Sequence, residues 1–238
     1  MPATTVPILQ NGEITIKGQF MWGSNYTFLA EVQQGEDVLP AVYKPRKGER
    51  PLWDFPAATL THREVAAYLV SEALGWELVP PTVYRRRGPI GPGSLQLYVE
   101  HDPEVHFFTL SHEQRQQLRP VVLFDILINN ADRKGGHLLF DPGGHLWLID
   151  HGLCFHEEEK LRTVIWDFAG EPIPADLLAN LQAFQGQLAS DTELTRLLGT
   201  HLKHLEIAAM QQRAQALLES GAFPNPPEDR RPYPWPPV

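Results

Sequence analysis

The sequence predicts an α+β protein with two lobes, a β-rich N-lobe that carries one helix and a mainly helical C-lobe. Short runs of β-forming residues, separated by turn residues, fill most of the first hundred positions. Helical spacing of apolar residues dominates from residue 111 onward, and a short hairpin flanked by aspartates lies at 128–156. We expect the N-lobe over 1–102, the C-lobe over 103–220, and a ligand cleft between them.

In the N-lobe, three strands are predicted to form a meander, at 13–19, 25–32 and 38–44. A helix is predicted over 60–76, because apolar residues recur at spacing four and Gly75 is placed to end it. Two further strands, at 82–87 and 94–100, are joined by the turn "GPIGPG".

The C-lobe begins with helical sequence at 111–130, with Ser111 as N-cap and Pro120 dividing it into a broken helix or two helices. The strands "HLLF" and "HLWLID" follow, joined by the hairpin turn "DPGG". The spacing predicts three more helices, at 157–168, 174–188 and 201–219. The Pro-rich tail, 221–238, is predicted to be an extended strap or a disordered end.

Composition excludes several classes of protein. The formal net charge of −9 argues against a broad nucleic-acid-binding face, which needs clustered Lys and Arg. The single cysteine, Cys154, rules out an internal disulfide and fits a reducing compartment. The first residues lack the basic start and apolar run of a signal peptide, and no stretch has the apolar length of a membrane span. We expect a cytoplasmic protein with no integral membrane segment and no nucleic-acid partner.

Two aspartates flank the hairpin and carry the predicted chemistry. Asp132 lies in a Gly-rich loop after a helix, and Asp150 ends the apolar strand "LWLI". Since burying an unpaired carboxylate is unfavourable, Asp150 needs a partner such as a cationic side chain or Mg²⁺, which prefers carboxylate and phosphate oxygens. A metal-bound carboxylate beside one that orients a hydroxyl is a pairing used in phosphoryl transfer.

The stretch "ADRKGGHLLFDPGGHLWLIDHG" resembles the catalytic and metal-binding loops of the phosphatidylinositol 3-/4-kinase-like family. It is most similar to a small bacterial branch of that family and more distantly similar to HipA-type kinases. The resemblance extends over about residues 12–170 and implies a protein-kinase-like fold with ATP and Mg²⁺ (or Mn²⁺) as cofactors. It implies that Asp132 is the catalytic aspartate, that Arg133 and Lys134 in the same loop are also catalytic residues acting on the substrate, and that Asp150 binds the metal.

The resemblance also implies nucleotide-binding residues on three segments. The strand "VYKP" supplies a lysine for the ATP phosphates, the turn at 18–25 covers them, and 95–102 is the hinge beside adenine. The residues assigned to the nucleotide are Lys44, Glu64, Ser24, Asn25, Tyr98, Val99 and Glu100.

Two of these roles have alternatives within the sequence. Glu64 pairs with Lys44 in the kinase-like arrangement, but "THRE" is also a capping box in which Glu64 would bind the Thr61 amide. Lys44 precedes a proline, which also fits an unremarkable lysine on an edge strand.

The loops depart from the family pattern at three positions. His137 stands where the family has a metal-binding asparagine, Lys134 where it has a histidine, and His151 where it has a phenylalanine. Imidazole is a poor Mg²⁺ ligand, so three roles stay open for His137: binding Mn²⁺, hydrogen bonding a phosphate, or neither. Lys134 can place positive charge on the transferring phosphoryl group.

The sequence therefore predicts an ATP-dependent phosphotransferase that transfers the γ-phosphoryl group to a hydroxyl acceptor. The acidic segment "HEEEKLR", 156–162, repels a phosphoinositide headgroup and favours a protein or small-molecule acceptor. The alternative is a weakly active or inactive ATP- and metal-binding pseudokinase with a regulatory role, which the histidine at 137 favours. Transfer of AMP would require ATP bound in the reverse direction.

Overall fold

A computed structural model of the chain describes residues 4–21, 25–188 and 192–238. Its strands are β1 (Glu13–Gln19), β2 (Phe28–Gln34), β3 (Asp37–Pro45), β4 (Thr82–Arg85), β5 (Gly93–Leu97), β6 (Leu138–Phe140) and β7 (Leu146–Leu148). Its helices are α1 (Thr5–Asn11), α2 (Leu60–Leu74), α3 (His112–Gln116), α4 (Arg119–Ile128), α5 (Ala175–Gln187), α6 (Glu193–Leu198) and α7 (His204–Ser220).

Strands β1 to β5 form one antiparallel sheet in the order β1-β2-β3-β5-β4, so the predicted meander is confirmed. Because side chains alternate across a strand, β3 points Ala41 and Tyr43 into a small core. That core also contains Ile8 and Leu9 of α1, a helix that the sequence analysis did not predict.

Helix α2 is confirmed, and it ends at Gly75, whose φ of 70° is left-handed. Although α2 lies between strands in the sequence, its apolar residues Ala66, Ala67, Val70 and Leu74 belong to the larger hydrophobic core formed with the C-terminal helices. The helix that carries Glu64 is therefore packed against the helical body, and this packing fixes the position of Glu64 at the cleft.

The helical body confirms most of the predicted elements. Ser111 caps α3, with its hydroxyl accepting a hydrogen bond from the Gln114 amide, and the sequence around Pro120 forms two helices. Helices α5 and α7 lie where expected, and Gly221 ends α7 in a left-handed conformation. Helix α6, capped by the Thr192 hydroxyl, was not predicted.

The helix predicted at 157–168 is wrong, because backbone groups of this segment bond elsewhere. The Arg162 amide donates to the Asn130 carbonyl at 2.9 Å, and the Arg162 carbonyl accepts from the Arg133 amide at 3.0 Å. The Thr163 amide donates to the Pro232 carbonyl at 3.0 Å. Pairing with distant segments thus replaces the helical ladder, and Thr163 forms an isolated parallel β-bridge with Arg133 in the loop of Asp132.

The hairpin of β6 and β7 is confirmed, with Leu138 opposite Leu148. Asp141 stabilises its turn, since one carboxylate oxygen accepts from the His145 amide at 2.9 Å and the other from the Trp147 indole at 3.0 Å. This short hairpin joins the loop of Asp132 to the loop of Asp150, so it brings the two aspartates to the same end of a rigid unit.

The Pro-rich tail is an extended strap, the first of its two predicted forms. Phe223 is buried in the larger core, and its amide donates to the Glu171 carbonyl at 2.9 Å. Farther along, the Pro237 carbonyl accepts from the Gly135 amide at 2.8 Å, which ties the strap to the catalytic loop.

The sheet and the helical body make the α+β, two-lobe architecture that was predicted, with a cleft between them. Tryptophan side chains are usually at least partly buried, whereas Trp53 is 93% exposed. Among the described residues, we find no helix with the length and apolar character to cross a membrane.

Candidate active site

A cavity of about 600 Å³ lies between the sheet and the helical body. Both halves of the chain contribute to its walls, and the predicted site residues that line it are Asn25, Lys44, Glu64, Tyr98, Val99, Asp132, Lys134, His137 and Asp150. The fold thus brings nine of the predicted residues to one cleft, although they are spread over more than a hundred positions of sequence.

Lys44 reaches the cavity because β3 alternates. Tyr43 packs into the sheet core, so Val42 and Lys44 face the opposite side and line the cleft. Strand β3 lies between β2 and β5, so it is an inner strand of the sheet. The edge-strand interpretation of Lys44 is therefore wrong.

The ammonium of Lys44 is held by two carboxylates. It forms a close ion pair with Glu64 on α2, and its Nζ lies 3.1 Å from Asp150 Oδ1. Burial opposes the charge on Lys44, but Asp150 and Glu64 outweigh it and raise the pKa of the ammonium above its ordinary value. Lys44 therefore stays charged at the centre of the cleft.

The capping-box interpretation of Glu64 is wrong. Glu49, from the loop before α2, accepts the hydrogen bond of the Thr61 amide at 3.1 Å and leaves Glu64 available for Lys44. The second carboxylate oxygen of Glu64 accepts from the backbone amide of His151 at 3.0 Å. Glu64 therefore links the lysine to the loop of Asp150.

Asp132 lies in the loop between α4 and β6, where the side-chain oxygen of Asn130 accepts its amide hydrogen bond at 3.0 Å. Lys134 Nζ lies 3.5 Å from its carboxylate. Burial raises the pKa of Asp132 to about 6, with Lys134 opposing and Asp150 adding to the rise. Such a carboxylate is poised to exchange a proton near neutral pH.

Asp150 follows β7 with a φ of 63°, which is left-handed and uncommon for a residue other than glycine. Its side chain is 51% exposed to the cleft, and the neighbouring Lys44 holds the pKa of its carboxyl well below the usual range. An ionised, accessible carboxylate suits Mg²⁺, which commonly takes one or two protein carboxylates and completes its shell with phosphates and water. Among the described residues there is no cluster of three or more acidic, His or Cys side chains that could hold a metal ion.

The His137 side chain lies beside Asp150. Its Nδ1 accepts from the Lys134 amide at 3.4 Å, and its Nε2 lies 3.5 Å from Asp150 Oδ2. Burial lowers the pKa of His137 to about 4, so the ring is neutral at pH 7. With Nδ1 accepting, the proton of the neutral ring is on Nε2, so this tautomer presents an N–H rather than a lone pair toward Asp150.

Of the three remaining predicted residues, two lie away from the cavity wall and one is not described. Arg133 is fully buried, and its guanidinium is bound to Asp125 at 2.9 Å, so the expectation that it acts on substrate is corrected to a structural position. Glu100 is exposed and lies outside the cavity lining. Ser24 lies outside the described residues.

The sequence analysis missed part of the apolar floor and one wall of the site. Val99, Leu139 and Ile149 line the cavity and pack with the buried Trp147, so the floor of the cavity is apolar. Val238 of the strap also lines the cavity. The alternation of "HLWLID" could have indicated Ile149, but no local signal could have placed Val238 there.

Comparison with known proteins agrees with this geometry. The chain is 41% identical to Protein Rv2133c of Mycobacterium tuberculosis over 264 aligned positions, covering 96% of this chain and 94% of that protein. It is 30% identical to phosphatidylinositol 4-kinase gamma 4 of Oryza sativa over 57% of this chain, but spans only 27% of the rice protein.

A solved structure shares the fold. The Helicobacter pylori proinflammatory kinase CtkA superposes with a TM-score of 0.54 at 10% identity, covering 90% of this chain and 94% of that one. The likeness supports the predicted two-lobe kinase-like architecture. The family profile for phosphatidylinositol 3- and 4-kinase matches residues 57–207, from the segment before α2 into α7 and including both aspartate loops. On this match, the chain belongs to the phosphatidylinositol 3- and 4-kinase family.

Proposed function

We propose that this chain is an ATP-dependent phosphotransferase that moves the γ-phosphoryl group of ATP to a hydroxyl acceptor. The observation that carries the proposal is the convergence of Lys44, Asp132 and Asp150 on one cavity, with Lys44 Nζ 3.1 Å from Asp150. A cation for phosphates, a base and a metal-binding carboxylate are the parts that phosphoryl transfer requires.

The nucleotide would enter the cleft with adenine on the apolar floor. Val99 and Leu139 form that floor, and the backbone of 98–100 runs beside it as the hinge. Strand β5 ends at Leu97, and the Tyr98 amide still donates to the Pro40 carbonyl of β3 at 3.0 Å, so the hinge would begin beyond that bond. Lys44, held by Glu64, would contact the phosphates below the turn that includes Asn25.

Asp150 would hold Mg²⁺ or Mn²⁺ together with the ATP phosphates. The bound cation would neutralise charge on the triphosphate. Lys44, whose Nζ lies 3.1 Å from Asp150 Oδ1, would contact the phosphates beside that carboxylate. His137, whose Nε2–H faces Asp150 Oδ2 at 3.5 Å, would orient the Asp150 carboxylate rather than serve as a ligand.

Asp132 would accept the proton of the attacking hydroxyl. Its raised pKa, about 6, keeps it deprotonated at pH 7 yet basic enough to be useful. Lys134, 3.5 Å away, would lie close to the transferring group and supply positive charge. These two residues form the acceptor end of the site.

The acceptor would be a protein or a small molecule more readily than a phosphoinositide. The exposed carboxylates of Glu158 and Glu159 face solvent in the segment that follows Asp150, with side chains 72% and 64% exposed. Lys160 is occupied by Asp54 and Glu158, at 3.6 and 3.3 Å. This charge disfavours an anionic headgroup. A cytoplasmic location is part of the proposal, supported by the single, buried Cys154.

A second candidate function is a regulatory pseudokinase that binds ATP and metal with little or no turnover. The position of His137 favours it, because a protonated Nε2 directed at Asp150 removes one ligand from a two-metal site. Nucleotide binding without turnover would be the result expected of this alternative.

The two candidates are separated by measuring Mn²⁺-dependent ATP binding and ATP turnover in the same preparations. We expect Asp150→Ala to abolish metal-dependent binding, and Asp132→Ala to stop turnover while binding is largely retained. Glu158→Ala, in the exposed acidic segment, is the control and should bind ATP as the wild type does. Undiminished turnover in both aspartate variants would end the proposal.

A further inference from the structure

The buried guanidinium of Arg133 contacts the residues on both sides of Asp150. It donates to the Ile149 carbonyl at 3.0 Å and lies 2.9 Å from Nε2 of the His151 ring. Its other side is bound by both carboxylate oxygens of Asp125, at 2.9 Å each. Arg133 follows Asp132 directly, so one side chain connects the catalytic loop to the loop that carries the other aspartate.

The contact with Arg133 determines the protonation of His151. A guanidinium only donates hydrogen bonds, so Nε2 of His151 must accept, and the ring proton is on Nδ1. This Nδ1 is buried without a hydrogen-bond partner in the described structure and lies 4.0 Å from Glu64 Oε2. The same Glu64 oxygen accepts from the His151 amide at 3.0 Å.

Asp150 needs such support because its backbone is left-handed, with a φ of 63°. A residue with a side chain keeps this conformation only where its surroundings hold it. Arg133 holds the chain before Asp150 and the ring after it, while Glu64 holds the following amide. A phenylalanine at 151 would fill a similar volume but would leave an Arg133 N–H buried without an acceptor.

We propose that Arg133 and His151 form a hydrogen-bonded pair that positions Asp150 for metal binding. They are positioning residues, since both are fully buried and neither lines the cavity. The effect of the pair on metal-dependent ATP binding rests on the proposed function. The histidine at 151, where the sequence resemblance has phenylalanine, thereby acquires a role as the acceptor for the catalytic-loop arginine.

The test compares His151→Phe with His151→Gln, whose amide oxygen can accept from Arg133. The binding readout is Mn²⁺·ATP affinity by calorimetry, and the kinetic readout is the KM and kcat of ATP turnover. We expect His151→Phe to weaken Mn²⁺-dependent binding about 10- to 100-fold, as loss of a hydrogen bond behind a metal ligand commonly does. His151→Gln should stay within about threefold of wild type, because the acceptor is restored.

Control variants distinguish a loss of Asp150 positioning from a general loss of folded structure. His145→Phe alters a histidine of the same hairpin that bonds to the Glu77 carbonyl instead, and it should bind Mn²⁺·ATP normally. Binding of ATP without metal should change little in any variant. Equal affinities for His151→Phe and wild type would overturn the inference, as would His151→Gln being as weak as His151→Phe.

Failure of the proposed function would give a different result. A wild-type protein that binds no Mn²⁺·ATP would refute the phosphotransferase, whatever the variants do. The pairing itself would then be judged from hydrogen exchange at the residue 151 amide in the nucleotide-free protein. His151→Phe should speed that exchange at least about tenfold relative to wild type and His145→Phe, and unchanged exchange would refute the pairing.

Discussion

Arg63 of helix α2 forms a buried ion pair with Glu206 of helix α7. The guanidinium of Arg63 is also bound to the carbonyl of Cys154, and the Arg63 residue is 1% exposed. The next residue on α2, Glu64, holds Lys44 in the cleft. The pair therefore anchors the helix that orients the lysine to the helical body, in agreement with the packing of α2 into the larger core.

Removing one partner of this pair should destabilise the protein strongly. Glu206→Leu leaves the Arg63 guanidinium buried without its counter-charge, and loss of one partner of a buried pair costs about 3–5 kcal/mol. The free energy of unfolding in urea, measured by circular dichroism, tests this. Glu159→Leu is the matched control, because Glu159 pairs with Arg230 at 2.7 Å at the surface and its loss should cost less than about 1 kcal/mol. An equal decrease in the free energy of unfolding for the two variants would contradict a larger stabilisation by the Arg63–Glu206 pair.

ATP turnover should increase with pH through about 6. Asp132 has a pKa raised to about 6, chiefly by burial, and only its deprotonated form can accept the proton of the hydroxyl. The acid limb of a profile of log kcat/KM against pH should therefore have its midpoint near 6. Asp132→Asn should lack activity at every pH. A midpoint close to the ordinary value of 3.8 would contradict the role of burial at this site.

The same pKa has a consequence for stability. The folded protein binds the Asp132 proton more tightly than the unfolded chain does, so protonation of Asp132 stabilises the fold. This contribution to the free energy of unfolding is complete below about pH 3.8 and is lost as pH rises through about 6. Asp132→Asn has no ionisable group at this position and therefore does not lose stability in this way as pH rises. The variant should be more stable than wild type at pH 8, by on the order of 1–3 kcal/mol, and should lose that advantage in acid.

The strap should contribute to stability through its buried end. Phe223 is 2% exposed and packs in the larger core, so Phe223→Ala should cost about 3–5 kcal/mol. Trp235, which is 74% exposed in the same strap, is the aromatic control, and Trp235→Ala should cost less than about 0.5 kcal/mol. Thermal and urea unfolding of both variants measure the difference. A negligible effect of Phe223→Ala would mean that the tail is not docked.

Several elements were predictable because their determinants are close together in the sequence. The alternation in β1 to β3, the Ser111 cap of α3, and the glycines that end α2 and α7 act over a few residues, and each was confirmed. The position of the two aspartates at the ends of a hairpin was likewise readable, because β6 and β7 are joined by a short turn.

The errors arose where a distant segment competes with the local signal. Residues 157–168 have helical spacing, but pairing of 161–164 with the catalytic loop and the strap satisfies the backbone instead. Helix α1 has only seven residues, and its packing under the sheet stabilises it more than its own sequence does.

The sequence by itself determined the α+β order of elements, the aspartate-flanked hairpin and the family to which the chain belongs, since these depend on local periodicity and contiguous motifs. Only the tertiary structure decided that Glu64 pairs with Lys44 instead of capping its helix, and that Arg133 is buried behind Asp150 instead of facing the cleft. The physical reason is that charged side chains bind the partners that folding brings near them. Glu49 accepts the hydrogen bond of the Thr61 amide, which Glu64 would otherwise have accepted. The Asp125 carboxylate and the Ile149 carbonyl accept the hydrogen bonds of the Arg133 guanidinium.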